Sequence, residues 1–145
     1  MALPDTIKHA GGSSRTTGIA AANIAAGANA LGSEIDNSTN KDTECDIEVS
    51  ITCGVAPTAD KVMEVYILYA LDGTNYEDGN AVGPVDPKKA PVGCVAVRAV
   101  TSAQKCVISG VPLRPYKFKV LLKSELDQTA TTTVLLYSNN PQIVE

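Results

Sequence analysis

The chain predicts an all-β fold, an antiparallel β-sandwich of jelly-roll type. Three observations lead there. Runs of strand length that alternate apolar and polar residues recur between residues 44 and 137, which is the pattern of half-buried strands. Clusters of Gly, Asn, Asp, Ser and Pro separate these runs at short intervals, as turns require. No segment makes a strong helix. An immunoglobulin-like strand order is the close alternative to the jelly roll.

At 145 residues the chain fits one domain, large enough to bury roughly 70% of the surface its unfolded form exposes. Its formal net charge is −4 and charged residues are 19% of the whole, so no basic field is present to attract nucleic acid. The opening Met1-Ala2-Leu3-Pro4-Asp5-Thr6-Ile7-Lys8 lacks the charged start and apolar core of a signal peptide. This predicts a product made in the cytoplasm and retained there or released by lysis. No apolar stretch approaches the ~20 residues of a membrane-spanning helix.

Taken in order, residues 1–29 are expected to form an extended N-terminal arm, and residues 30–145 the sandwich. The first segment is rich in Ala, Gly, Ser, Thr and Asn, with isolated Ile19 and Ile24. It has too few large apolar side chains to build a core alone, and Gly11, Gly12, Gly18 and Gly27 favour an adaptable path. A short Ala-rich helix over residues 19–26 is one alternative, and plain disorder another. An arm of this kind needs a neighbouring subunit to order it.

A short strand is expected over residues 31–37. The run from Glu44 to Cys53 then places Cys45, Ile47, Val49, Ile51 and Cys53 on one face, with acidic and hydroxyl residues on the other. Residues 62–71 are apolar on both faces, which predicts a central strand or one under a subunit contact, with Tyr66 and Leu68 facing one way and Ile67 and Tyr69 the other. The loop from 78 to 91 carries Pro84, Pro87 and Pro91; missing donors keep it out of a central strand and make it a surface excursion. Residues 94–100 form a strand, 101–104 a turn and 106–108 the next strand. Residues 116–123 alternate again, with Tyr116, Phe118, Val120 and Leu122 inward. Residues 131–137 close the series at about seven or eight strands.

The chemistry-bearing residues are sparse. Cys45, Cys53, Cys94 and Cys106 are too widely spaced for a metal knuckle or redox pair. On one straight strand, Cys45 and Cys53 lie ~26 Å apart, beyond disulfide reach. Four buried apolar side chains are the plain reading, and a bridge between one of the early and one of the later cysteines stays open. The one histidine, His9, sits near Ser13 and Ser14 with no nucleophile motif around them. Glu44, Asp46 and Glu48 read as the solvated face of a strand, not as a glycosidase pair. Asp72, Asn75, Glu77, Asp78 and Asn80 offer oxygen ligands for calcium, yet their spacing departs from the EF-hand pattern and suits a tight turn. No catalytic, cofactor-binding or metal residues are assigned. Sugar binding needs an exposed aromatic platform, for which Tyr76 is the one candidate.

Residues Ala30-Leu31-Gly32-Ser33-Glu34-Ile35-Asp36-Asn37-Ser38-Thr39-Asn40, the acidic strand that follows, Val65-Tyr66-Ile67-Leu68 and Leu71-Asp72-Gly73-Thr74-Asn75-Tyr76-Glu77 carry a family likeness. With Arg114-Pro115-Tyr116-Lys117-Phe118-Lys119-Val120 and the Tyr137-Ser138-Asn139-Asn140 ending, the chain resembles small virion structural proteins of tailed bacteriophages over most of residues 30–141. The resemblance implies a non-enzymatic β-sandwich in the virion, made in the host cytoplasm. Its first form is a capsid decoration or cement protein, a homotrimer bound to the major capsid protein or other virion proteins, with neither nucleic acid nor membrane as partner and no cofactor. In that reading Ile19, Ile24 and Leu31 make the arm's apolar contacts. A tail or collar component is the alternative, and a glycan-binding module using Tyr76 a further one.

Overall fold

The structure is a computed structural model that describes residues 7–9, 14–79, 84–139 and 141–143. Its strands are β1 (Ile7–His9), β2 (Ser14–Ile24), β3 (Asn29–Leu31), β4 (Ile35–Asp36), β5 (Glu44–Cys53), β6 (Lys61–Ala70), β7 (Gly93–Val97), β8 (Gln104–Pro112), β9 (Lys117–Ser124), β10 (Ala130–Asn139) and β11 (Pro141–Ile143). A single-turn helix α1 (Asn37–Asn40) and a 3-10 turn at Glu77–Gly79 complete the described elements.

Two antiparallel sheets stack face to face. One runs β2-β10-β5-β8; the other runs β9-β6-β7, with β3 and β4 both paired to the free side of β9. Counting β3 and β4 as one interrupted strand gives eight strands, with the first beside the last and the second beside the seventh. That order is the jelly roll, and the immunoglobulin-like alternative is set aside because its sheets group different strands.

Period two explains why β5 takes its place. Cys45, Ile47, Val49, Ile51 and Cys53 are all buried on the inner face, opposite Met63, Val65, Ile67 and Tyr69 from β6 and Phe118, Val120 and Leu122 from β9. β6 is central, as its two apolar faces predict. Its outward Tyr66 and Leu68 form a second small cluster with Leu121 and the half-buried Leu31. Residues of the 71–92 connection lie against that outer face. Asp86 accepts a hydrogen bond from the Asn29 side chain at 2.8 Å, and the Lys119 ammonium sits 4.5 Å from the centre of the Tyr76 ring.

Three expectations are corrected. The sandwich does not begin at residue 30: Ser14–Ile24 is a full edge strand paired along β10 from Ser138 to Ala130, and Ile19 and Ile24 are each 3% exposed in the core. An extended arm is thus confined to the residues before 14, of which 1–6 and 10–13 lie outside the described residues. Tyr116 is not inward, because β9 starts one residue later and leaves it 38% exposed in a loop. The strand expected over 106–108 extends from 104 to 112, carried past its apolar centre by pairing with β5.

Strand direction sorts the loops onto two poles. At one lie residues 37–43 and 113–116 and the segment that leaves β6 at 71–79; from the same pole the chain continues into β1 and β11, which pair with each other. Residues 25–28, 54–60, 98–103 and 125–129 lie at the other.

Candidate functional site

The pole that carries both chain ends is held by polar contacts rather than by core. Asp36 caps α1, accepting from the Ser38 N–H at 2.9 Å. Asn37, only 2% exposed, donates to the Asp42 and Arg114 carbonyls and accepts from the Asp42 N–H, each at 2.9 Å. One buried amide therefore ties the 37–43 loop to the 113–116 loop. Tyr76 donates its hydroxyl to Glu34, and Lys117 pairs with Glu34 at 2.9 Å. The hydrogen bonds from Tyr76 and Lys117 hold the Glu34 carboxyl below its usual range.

The sequence-predicted interaction residues fall inside the molecule. Ile19 and Ile24 belong to the main core and Leu31 to the outer cluster. Tyr76 is 8% exposed, so it is not a displayed ring. Among the apolar side chains that the pole does expose are Leu71 at 60% and Tyr116 at 38%. They follow directly from the pairing of Ala70 with Lys117, which brings them to facing positions where the ladder ends. Sequence reading missed Leu71 because it closes an apolar run that looked wholly internal.

Of the oxygen groups weighed and set aside for calcium, the described ones are engaged within the protein. Asp72 accepts from the Thr74 and Asn75 N–H groups at 2.9 and 2.7 Å and from the Asn75 side chain; these bonds lower its carboxyl from 3.8 to about 2. Glu77 pairs with Lys89 at 2.9 Å, Asp78 accepts from the Lys88 N–H, and Asn80 lies outside the described residues. Among the described residues no group of three or more His, Cys, Asp or Glu could hold a metal ion. The side chains of His9, Ser13 and Ser14 also lie outside what is described.

The cysteines divide. Cys45 and Cys53 are buried, Cys106 is half-buried and Cys94 exposed, all four as free thiols. Burial, reinforced by Asp46, Asp42 and Glu44, pushes the Cys45 thiol up to about 12.

A cleft of about 510 Å³ opens between β6 and β8. The Tyr69 ring forms part of its wall, with the Lys89 ammonium 5.8 Å and the Arg114 guanidinium carbon 5.9 Å from the ring centre. Lys89 also donates to the Ile67 carbonyl, and Glu77 accepts from the Tyr69 N–H, both at 2.9 Å. The ion pair thus occupies backbone groups on the side of β6 where pairing with β7 stops at Val65, which protects the edge. Burial raises the Glu77 carboxyl, but hydrogen bonds from Lys89 and Tyr69 outweigh it and the net shift is downward.

Fold and site together define a jelly-roll domain with three of its loops and the β1–β11 pair on the side of one pole. No family model matches the chain, and no curated protein matches it either. Among solved structures it is similar to the Yersinia pseudotuberculosis-derived mitogen, at 8% identity over 90% of each chain with a TM-score of 0.40. It is also similar to the coat protein of Tobacco streak virus, at 10% identity over 97% of this chain and 94% of that one, TM-score 0.42. The jelly-roll assignment rests on this chain's own strand order and not on these likenesses.

Proposed function

We propose that this chain is a non-enzymatic virion structural protein that decorates the assembled phage head and cements it. One observation carries the reading: the jelly roll brings its first and last described strands together beyond a single pole, as the β1–β11 pair, where Leu71 and Tyr116 are exposed and apolar. A fold alone does not establish a role. The pole adds an exposed apolar surface beside the β1–β11 pair, and the sequence adds its resemblance to phage virion proteins. In this reading the pole faces the major capsid protein, and a homotrimer repeats the contact over the shell. The mechanism is mass action: a subunit that binds the assembled shell and not its dissociated parts shifts the equilibrium toward the shell.

The test mixes purified undecorated phage shells with the full chain, with a chain lacking residues 1–13, and with a Leu71→Ser/Tyr116→Ser variant. The full chain is expected to co-sediment with shells and raise their disruption temperature, while each variant stays folded and binds roughly tenfold more weakly or less, as loss of about 1.4 kcal/mol of contact would give. A stable oligomer that ignores shells would overturn the head placement in favour of a tail or collar component. Normal decoration by both variants would remove the pole from the interface. The glycan alternative has lost its aromatic, since Tyr76 is enclosed by Glu34 and Lys119.

A further inference from the structure

We propose that the cleft between β6 and β8 binds a small organic acid with an apolar body, for which a medium-chain carboxylate is the simplest form. The cleft exists because the strands differ in length. β7 begins at Gly93 and reaches along β6 only from Lys61 to Val65, whereas β6 continues to Ala70 and β8 to Pro112. A strand-wide slot is left beside residues 67–70, and its volume of about 510 Å³ falls within the 300–1,000 Å³ typical of small-molecule sites.

The walls supply an apolar lane of Ile67, Val92, Ile108 and Val111. At Gly93 the lane is closed, because Ile108 packs so tightly there that a Cβ on Gly93 would meet it at 2.7 Å. The other end carries the charge. Two cations, Lys89 and Arg114, and one carboxylate, Glu77, line the cleft, giving a local excess of one positive charge in a chain whose net charge is −4. Lys89 and Glu77 are engaged with each other and with the β6 backbone. Arg114 has no ion-pair partner within 4 Å among the described residues, and it lines the cleft with its guanidinium carbon 5.9 Å from the centre of the Tyr69 ring. A planar fork of donors suits a carboxylate in two-point contact. Asp46 does not oppose this, since it lies on the outer face of β5 and accepts from the Gly110 N–H at 2.8 Å. The two halves of the ligand follow: a carboxylate on Arg114 and an aliphatic chain along the Ile108 lane toward Gly93.

The experiment is calorimetric titration of the full chain with decanoate, beside decanol, which lacks the charge, and acetate, which lacks the chain. Decanoate is expected to bind saturably, with the other two at least about tenfold weaker. Arg114→Gln, a change at an exposed side chain, should keep the melting temperature and lose roughly tenfold in affinity for decanoate while leaving decanol unchanged. Ile108→Trp, which fills the lane, should abolish binding. No saturable heat with decanoate on the native chain would overturn the proposal, as would equal affinity for decanol or an Arg114→Gln variant that binds decanoate as well as the parent. Because Arg114→Gln leaves the core untouched, the test holds even if Ile108→Trp fails to fold.

Discussion

Asn37 shows how much a single side chain can decide. An Asn in the sequence Asp36-Asn37-Ser38-Thr39-Asn40 reads as ordinary turn chemistry, yet in the fold its amide is buried and makes three hydrogen bonds to the backbone of two loops. Truncating it removes those bonds and leaves the Asp42 N–H and the Arg114 carbonyl short of partners, and an unmet buried polar group costs about 1–3 kcal/mol. Asn37→Ala is therefore expected to destabilise the domain by about 2–3 kcal/mol, read as a lower urea midpoint at unchanged slope. A loss under about 0.5 kcal/mol would mean that water replaces the amide. Exposed residues nearby behave differently. Leu71 and Tyr116 make no core, so their substitution is expected to register in association and not in the urea midpoint.

The element that sequence reading misjudged is β2, and the pairing shows why. From Thr132↔Ala22 to Val134↔Ile19 the β10 strand advances two residues and β2 three; from Val134↔Ile19 to Leu135↔Thr17 the steps are one and two. β2 thus carries two extra residues at bulges, and each bulge reverses which parity faces inward. Ile19 and Ile24, of opposite parity, both reach the core, while the alternation that would mark a strand is erased. Small residues there also serve packing: a Cβ on Gly32 would lie 1.8 Å from the Gly18 carbonyl oxygen, so the chain closes one side of the sandwich through backbone contact. β5, by contrast, was legible because its partners β10 and β8 are regular over most of its length and one face meets the core throughout. The cleft was invisible in sequence, since it arises from the mismatch of β7 with its neighbours and not from a motif. The consequence for β2 is direct. Removing residues 1–13 should leave the melting temperature nearly unchanged, whereas removing residues 1–28 strips an edge strand from the core and should abolish cooperative unfolding. Ile24→Ala, a buried large-to-small change, is expected to cost about 2–5 kcal/mol. A folded, cooperative domain without residues 1–28 would restore the arm.

At the scale of the whole molecule, the sandwich is held by apolar burial while the pole that carries the chain ends is held by ionised carboxylates. Glu34, Asp36, Asp72 and Glu77 all lie at that pole and all have lowered pKa values; Asp127, lowered by its bonds from Thr58, serves the opposite one. Hydrogen bonds to the charged form dominate in four of them, and in Glu77 they outweigh the opposing effect of burial. A carboxyl whose folded pKa is depressed contributes stability that is fully present above its unfolded value and is lost as the pH falls through the folded value. For Asp72 that window runs from 3.8 down to about 2. The strands contain no such dependence in their apolar core, so acid should act unevenly. Stability is expected to be level from neutral pH to about 4.5 and then to decline as the solution is acidified further. Hydrogen exchange at pH 3, corrected for the intrinsic rate, should show amides of residues 34–42 and 72–78 losing protection before those of β5, β6 and β10, because loops open locally at a fraction of the global cost. Stability that rises on acidification below pH 4, or protection lost uniformly across loops and strands, would contradict the division. If it holds, decorated shells should shed this protein as the pH falls through the folded values of these carboxyls while the released subunit keeps its sandwich, because the groups whose ionisation holds the pole are the ones that shape the proposed contact.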